Sequence, residues 1–208
     1  MEEEYRFILD NMFKKYENKY SEIFDTLKIE TKVWATSPYY NLYPLEIELS
    51  GYKKGKLYKS EPKIKKNAVV YGFINNELCY TGIYDDFSLI FLEYFFINKE
   101  NDVIVLGFYK KKLDRVYITN LNSNNENQYT FLMFVDNVKR YTKNTYEYNN
   151  GKISKVIENG VRVKEQNIAI IDVIYNVTYD IDSVKEIIAT QNNHKTGLVN
   201  TLKIYPRR

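Results

Sequence analysis

A chain of 208 residues and 24.9 kDa is long enough for one substantial hydrophobic core or two small ones. At 44% hydrophobic and 27% charged residues it sits near the globular average, which argues against wholesale disorder, and its net charge of +3 is too small to imply nucleic acid by itself. The single cysteine, Cys79, excludes an internal disulfide, and no clustered zinc-type spacing is present.

Tyrosine, with 21 copies against one tryptophan, suits a sheet with a half-wet face or a contact surface better than a helical bundle. The N-terminal stretch MEEEYRFILDNMFKKYENKY lacks the basic start and apolar run of a signal peptide. No apolar run approaches the roughly 20 residues needed to span a bilayer. The densest, FSLIFLEYFFI (Phe87 to Ile97), is short and contains Glu93. The expectation is a soluble cytoplasmic protein without membrane contact.

In chain order, Tyr5, Ile8, Met12, Tyr16, Tyr20, Ile23 and Leu27 recur at steps of three and four, predicting an amphipathic helix over about 2–28. Glu2, Glu3 and Glu4 suit its positive dipole end. From Thr31 the period changes to two. KVWATS (Lys32 to Ser37) and LEIELS (Leu45 to Ser50) read as strands, the latter with Leu45, Ile47 and Leu49 on one face. AVVYGFINNELCYTGIY reads as a hairpin around Asn75 and Asn76, placing Phe73 opposite Leu78 and Tyr71 opposite Tyr80. FSLIFLEYFFI leans towards a buried strand. DVIVLGFY and DRVYITNL form a hairpin with Lys110, Lys111 and Lys112 at its turn. NSNNENQ (Asn122 to Gln128) is a loop, and YTFLMFVDNV opens the next strand. NIAIIDVIYNVTY is strand-like. Ser183 and Glu186 have capping-box spacing, so a helix is predicted over about 183–191, with Val184, Ile187 and Ile188 on its apolar side. A last strand follows at about 197–205. The predicted fold class is α+β, a single domain over 1–208: a mainly antiparallel β-meander over about 31–180, an N-terminal amphipathic helix and a short helix near the C-terminus.

The stretch TYEYNNGKISKVIENGVRV (Thr145 to Val163) carries two Asn-Gly pairs, the strongest short hairpin signal, because both central residues of a type I′ turn need positive φ. Two-residue turns at Asn150-Gly151 and Asn159-Gly160 predict three strands in which Tyr148 faces Ile153, Tyr146 faces Lys155, and Ile157 faces Arg162. One side then gathers Tyr146, Tyr148, Ile153, Lys155, Ile157, Arg162 and Lys164, aromatic and cationic. It is either a half-buried peripheral part of the sheet or a partner-binding face, since Tyr and Arg are enriched at interfaces.

The segment YEYNNGKISKVIENG resembles one unit of the tyrosine- and Asn-Gly-punctuated β-meander repeats of polymorphic-toxin systems. These include the YD/RHS-type repeat, with its Tyr-x-Tyr-Asp-x-x-Gly-Lys pattern, and small immunity or antitoxin proteins built from similar hairpins. The likeness covers Thr145 to Val163 and departs from the YD pattern at Asn149, where Asp is usual. It implies a binding protein and carries over no catalytic residue.

Chemistry-bearing residues are sparse. The only histidine, His194, lies in the polar QNNHKTG and reads as an exposed loop residue; no Gly-x-Ser-x-Gly elbow is present to use it. Cys79 reads as a core thiol. Asp85 and Asp86 point to opposite faces of a strand unless a turn brings them together, and Asp180 and Asp182 precede the predicted helix as capping residues. There is no Walker or dinucleotide-type glycine pattern. GYKKGKLYKSEPKIKK (Gly51 to Lys66) interleaves Lys53, Lys54, Lys56, Lys59, Lys63, Lys65 and Lys66 with Tyr52 and Tyr58. That composition fits a solvated hairpin, an anionic protein partner or single-stranded nucleic acid.

The leading expectation is a non-enzymatic immunity or antitoxin protein that neutralises a cognate bacterial toxin by direct complex formation. Its partner-binding candidates are Tyr146, Tyr148, Lys155, Arg162, Lys164, Lys53, Lys54 and Tyr58, with no catalytic residue, metal or cofactor. The alternative is a nucleic-acid-binding or phage-encoded regulatory protein using residues 52–66. An enzyme with a carboxylate site is the third possibility, which a deep pocket lined by acidic residues would favour.

Overall fold

The computed structural model describes residues 2–85, 88–97, 102–120, 128–135, 138–165, 167–194 and 196–206. The N-terminal periodicity yields two helices in place of one, α1 (Glu2–Tyr16) and α2 (Tyr20–Thr26). The first closes where the Lys19 amide donates to the Tyr16 carbonyl (3.0 Å) in a tight turn. The break redirects the apolar stripe, so that Leu9, Met12, Phe13 and Tyr16 cover one part of a sheet while Phe24 and Leu27 reach another. Among the described residues no helix is long and apolar enough to cross a membrane.

Twelve strands among the described residues form one antiparallel sheet in strict chain order. They are β1 (Thr31–Ala35), β2 (Val69–Ile74), β3 (Glu77–Asp85), β4 (Ser88–Ile97), β5 (Asp102–Tyr109), β6 (Lys112–Asn120), β7 (Gln128–Val135), β8 (Val138–Asn149), β9 (Lys152–Lys164), β10 (Asn167–Asp180), β11 (Ser183–Asn192) and β12 (Val199–Tyr205). The mainly antiparallel meander with an N-terminal helix is therefore as expected. Two-residue turns set several hairpins: Asn75-Asn76, Lys110-Lys111 and Asn150-Gly151 all have positive φ at both positions, as a type I′ turn demands. Phe73 pairs with Leu78 as predicted, but a bulge at Cys79 places Tyr80 opposite Gly72 and Thr81 opposite Tyr71. The predicted loop from Asn122 lies outside the described residues, apart from Gln128, which opens β7.

Helices α1 and α2 pack on one face of the central strands over Ile104, Leu106, Phe108, Val116, Ile118 and Leu132. Lys139 on β8 ties α1 down through Asp10 (2.6 Å). The opposite face is crossed by a strap, residues 36–66, that leaves β1 and returns to it. Outbound, Tyr39 and Tyr40 pack on Tyr71 and Phe73 of β2, Tyr43 meets Phe131 of β7, and a one-turn helix α3 (Glu46–Leu49) reaches β11 and β12. Inbound, the Gly55 amide donates to the Pro38 carbonyl and the Tyr58 amide to the Trp34 carbonyl, both at 2.8 Å.

Three expectations are corrected. LEIELS is the α3 turn, not a strand: Asn41 Oδ1 accepts the Ile47 amide (3.1 Å), Glu46 accepts the Leu42 amide (2.6 Å), and these local bonds replace a ladder. Leu45 and Leu49, four apart, then share one side and pack against Tyr146, Val156 and Ile187. The segment 183–192 is strand β11, not a helix. Ser183 Oγ donates to the Asp180 carbonyl (3.1 Å) across a turn, and the β-branched Val184, Ile187, Ile188 and Thr190 join a ladder between β10 and β12. Asn159-Gly160 is not a turn but lies inside the thirteen-residue strand β9. A Cβ on Gly160 would sit 2.0 Å from the Tyr141 carbonyl oxygen, so this glycine serves close strand approach.

Candidate functional site

Directly paired residues share a face, and on the strap side of the sheet Phe95, Val105, Tyr117 and Met133 form one such row across β4, β5, β6 and β7. The neighbouring row runs Thr81, Glu93, Gly107 and Arg115. The outbound leg of the strap roofs these rows and leaves a cleft of about 800 Å³, bounded by Tyr43, Glu46, Glu93, Phe95, Tyr117 and Phe131. Two carboxylates thus face each other's field from the strap and from the sheet floor.

Gly107 opens the floor. A Cβ there would lie 2.4 Å from Cγ of Arg115, whose stem crosses the vacant position and whose guanidinium stacks 4.4 Å from the Phe91 ring centroid. Arg115 Nε donates to Asp114 (2.8 Å) and an Nη donates to the Tyr117 hydroxyl (3.4 Å). Thr81 donates to Glu93 (3.3 Å). Burial raises the Glu93 carboxyl above the usual range, and the Arg115 charge and the Thr81 hydrogen bond oppose that rise. Glu46 is pushed up to about 7, first by burial and then by repulsion from Glu93 and Glu48, against the lowering effect of the Leu42 amide. Burial also drives Tyr43 well above its ordinary value and raises Tyr117 and Tyr71. Cys79 lines the cleft rim; its thiol is raised by burial and donates to the Gly72 carbonyl (3.1 Å).

The polar floor continues along β8, β9 and β10. Glu158, only 5% exposed, takes an ion pair from Arg140 and a hydrogen bond from Tyr175 (2.7 Å). Arg140 lies directly opposite the cleft residue Met133. Asn144, opposite Glu158 and 7% exposed, keeps its side-chain amide oxygen Oδ1 without a hydrogen-bond partner among the described residues. Tyr43 lies within the field of Glu46 and, more weakly, of Glu158, both of which add to the rise of its hydroxyl.

The sequence-predicted face on Thr145 to Lys164 is divided. Tyr148 faces Ile153 as predicted, but a bulge beside Tyr148 sets Tyr146 opposite Val156 and Lys155 opposite Glu147, with which it pairs (2.8 Å). Tyr146 is 1% exposed and belongs to the core, which corrects its placement on a contact surface. Because Gly160 does not turn the chain, Ile157 pairs with Thr145 and Ile174, and Arg162 pairs with Arg140 and Ala169. Alternation along β9 puts Lys155 and Ile157 on the helix side, and Arg162 and Lys164 on the strap side with the two tyrosines. Tyr148, Arg162 and Lys164 are exposed. Lys53, Lys54 and Tyr58 are exposed on the strap, far along the chain from that hairpin.

The remaining candidates have local partners. His194 is exposed beside Asp172 (3.2 Å), and Asp182 is held below the usual carboxylate range by Lys152 (2.8 Å) in the turn after Asp180. Asp85 ends β3, and Asp86 lies outside the described residues. Among the described residues no group of three or more His, Cys, Asp or Glu is arranged to hold a metal. Sequence reasoning missed Glu46, Arg115, Tyr43 and Tyr117. The one legible signal was Glu93, a lone carboxylate inside an apolar run. No protein-family model matches the chain, and neither a curated protein nor a solved structure matches it.

Proposed function

We propose that this chain is a binding protein of the immunity or antitoxin kind, which silences a bacterial toxin by direct complex formation and meets it with the strap. The observation that carries this reading is the exposure of the inbound leg. Tyr52, Leu57, Tyr58 and Ile64 (the last 77% exposed) stand in solvent among Lys53, Lys54, Lys56, Lys59 and Lys63, on backbone with little regular structure. Large apolar and aromatic side chains interleaved with cations fit an acidic protein surface, where charge steers encounter and buried rings slow dissociation. The proposal assigns no catalytic residue.

The test uses the full chain as bait in a bacterial lysate, against a Lys53→Glu/Lys54→Glu/Tyr58→Ala variant. The expected prey is a protein that is toxic when expressed alone, silenced by the wild-type chain and released by the variant. The same lysines support the second reading, single-stranded nucleic acid. If an oligonucleotide binds with an affinity that falls log-linearly and steeply with salt, and no toxic protein is captured, that reading replaces the first.

A further inference from the structure

The cleft on the strap face is independent of that proposal and has a chemistry of its own. Its volume of about 800 Å³ lies within the range of small-molecule sites, roughly 300–1,000 Å³. Its walls are rings: Tyr43, set edge-on to Phe131 with centroids 4.8 Å apart, together with Phe95 and Tyr117. Its charge is unbalanced. Arg115 is shared by Asp114, Tyr117 and the field at Glu93, whereas Glu46 faces the same space with a backbone amide as its hydrogen-bond donor. Both carboxylates keep part of their surface accessible because they front the cleft. A cavity with acidic acceptors and ring faces but an already committed cation selects against anions and in favour of positive charge.

We propose that the cleft beneath the strap binds a small organic cation, an ammonium group carried on an apolar or aromatic body, with Glu46 and Glu93 as counter-ions and Tyr43, Phe95, Tyr117 and Phe131 as its walls. The bound charge replaces the neutralisation that Glu46 otherwise obtains from a proton. The groups around Glu46 are Glu48 on α3, Glu93 on β4, Tyr43 on the strap and Tyr71 on β2, with Glu77 of β3 and Tyr117 of β6 lining the same cleft; Glu93 and Glu48 oppose its ionisation, the phenols are uncharged near neutrality, and Arg115 is engaged by Asp114 and Tyr117. Cation binding therefore displaces a proton from the cleft and strengthens as pH rises through neutrality.

The probe is benzyltrimethylammonium, whose charge is permanent, compared by calorimetry with neutral 3-phenylpropanol. The cation is expected to bind at millimolar or lower concentration and at least about tenfold more tightly than the alcohol. Its affinity is expected to fall about tenfold between pH 8 and pH 6, following the ionised fraction of a group titrating near 7. Glu46→Gln, checked for native circular dichroism, is expected to weaken both the preference and the pH dependence, Glu93 remaining as the second counter-ion. The strap variant Lys53→Glu/Lys54→Glu is expected to retain both, which separates this site from the toxin-binding proposal. Absent binding of the cation, equal binding of the alcohol, a flat pH profile, or an unchanged Glu46→Gln variant would each overturn the assignment.

Discussion

At the residue scale, two identical dipeptides do opposite work. Gly151 sits at φ +75° with nothing near its missing side chain, so it is needed for backbone conformation. Gly160 has no Cβ because the Tyr141 carbonyl occupies that place. Gly151→Ala should therefore cost about 1 kcal/mol, the strain of a left-handed alanine. Gly160→Ala should cost about 2–3 kcal/mol, because backbone and not a flexible side chain has to move. Urea unfolding of both variants checks this; a larger loss at Gly151 would contradict the continuous strand β9. The same displacement of the turn explains why the expected aromatic and cationic face came apart: a glycine at position 160 that packs instead of turning leaves Ile157 and Arg162 on one strand, in place of facing each other across a hairpin.

Elements were legible where local signals agreed and opaque where two signals competed. The hairpins at Asn75-Asn76 and Asn150-Gly151 were readable because turn chemistry and alternation pointed the same way. Ser183 to Asn192 carried both a capping-box spacing and a β-branched ladder sequence, and the open edge of β10 decided for the ladder. The distinction is testable. In β11, Ile187 is fully buried against Val177 and Tyr205, whereas Ile188 faces the other side. Ile187→Ala should cost about 3 kcal/mol and Ile188→Ala less than about 1 kcal/mol. In a helix the two would lie on one apolar side, and similar losses would be measured. LEIELS failed for a related reason: alternation over six residues also fits one helical turn when Asn41 and Glu46 offer their side chains to the backbone.

At the scale of the whole molecule, roofing a sheet with a strap creates a cleft that holds a carboxylate at a cost in stability. Glu46 titrates near 7 in the folded chain against an ordinary 4.5, so the folded state binds the extra proton between those values. Its contribution is therefore most favourable below about pH 4.5 and declines as pH rises through 7, by about 3 kcal/mol at most. Glu93 acts in the same direction. Glu46→Gln should be the more stable protein at pH 8, by about 2 kcal/mol, and lose that advantage near pH 4.5. Urea midpoints at the two pH values measure it, and parallel profiles for the two proteins would contradict the burial of this group. A residue that weakens the fold at neutral pH fits one kept for a ligand.

The sequence alone determined the strand-rich meander, its amphipathic N-terminal cover and its principal hairpins. These follow from periodicities and turn residues that act over a few positions. Only tertiary structure decided that residues 36–66 leave the sheet edge, cross its second face and return. It also decided that Glu46 and Glu93 front one cleft, with the Arg115 charge near Glu93, and that Tyr146 is core. Those outcomes depend on groups some 20 to 100 positions apart meeting across a wide sheet. Alternation tells which side of a strand a residue takes, but not what will cover that side.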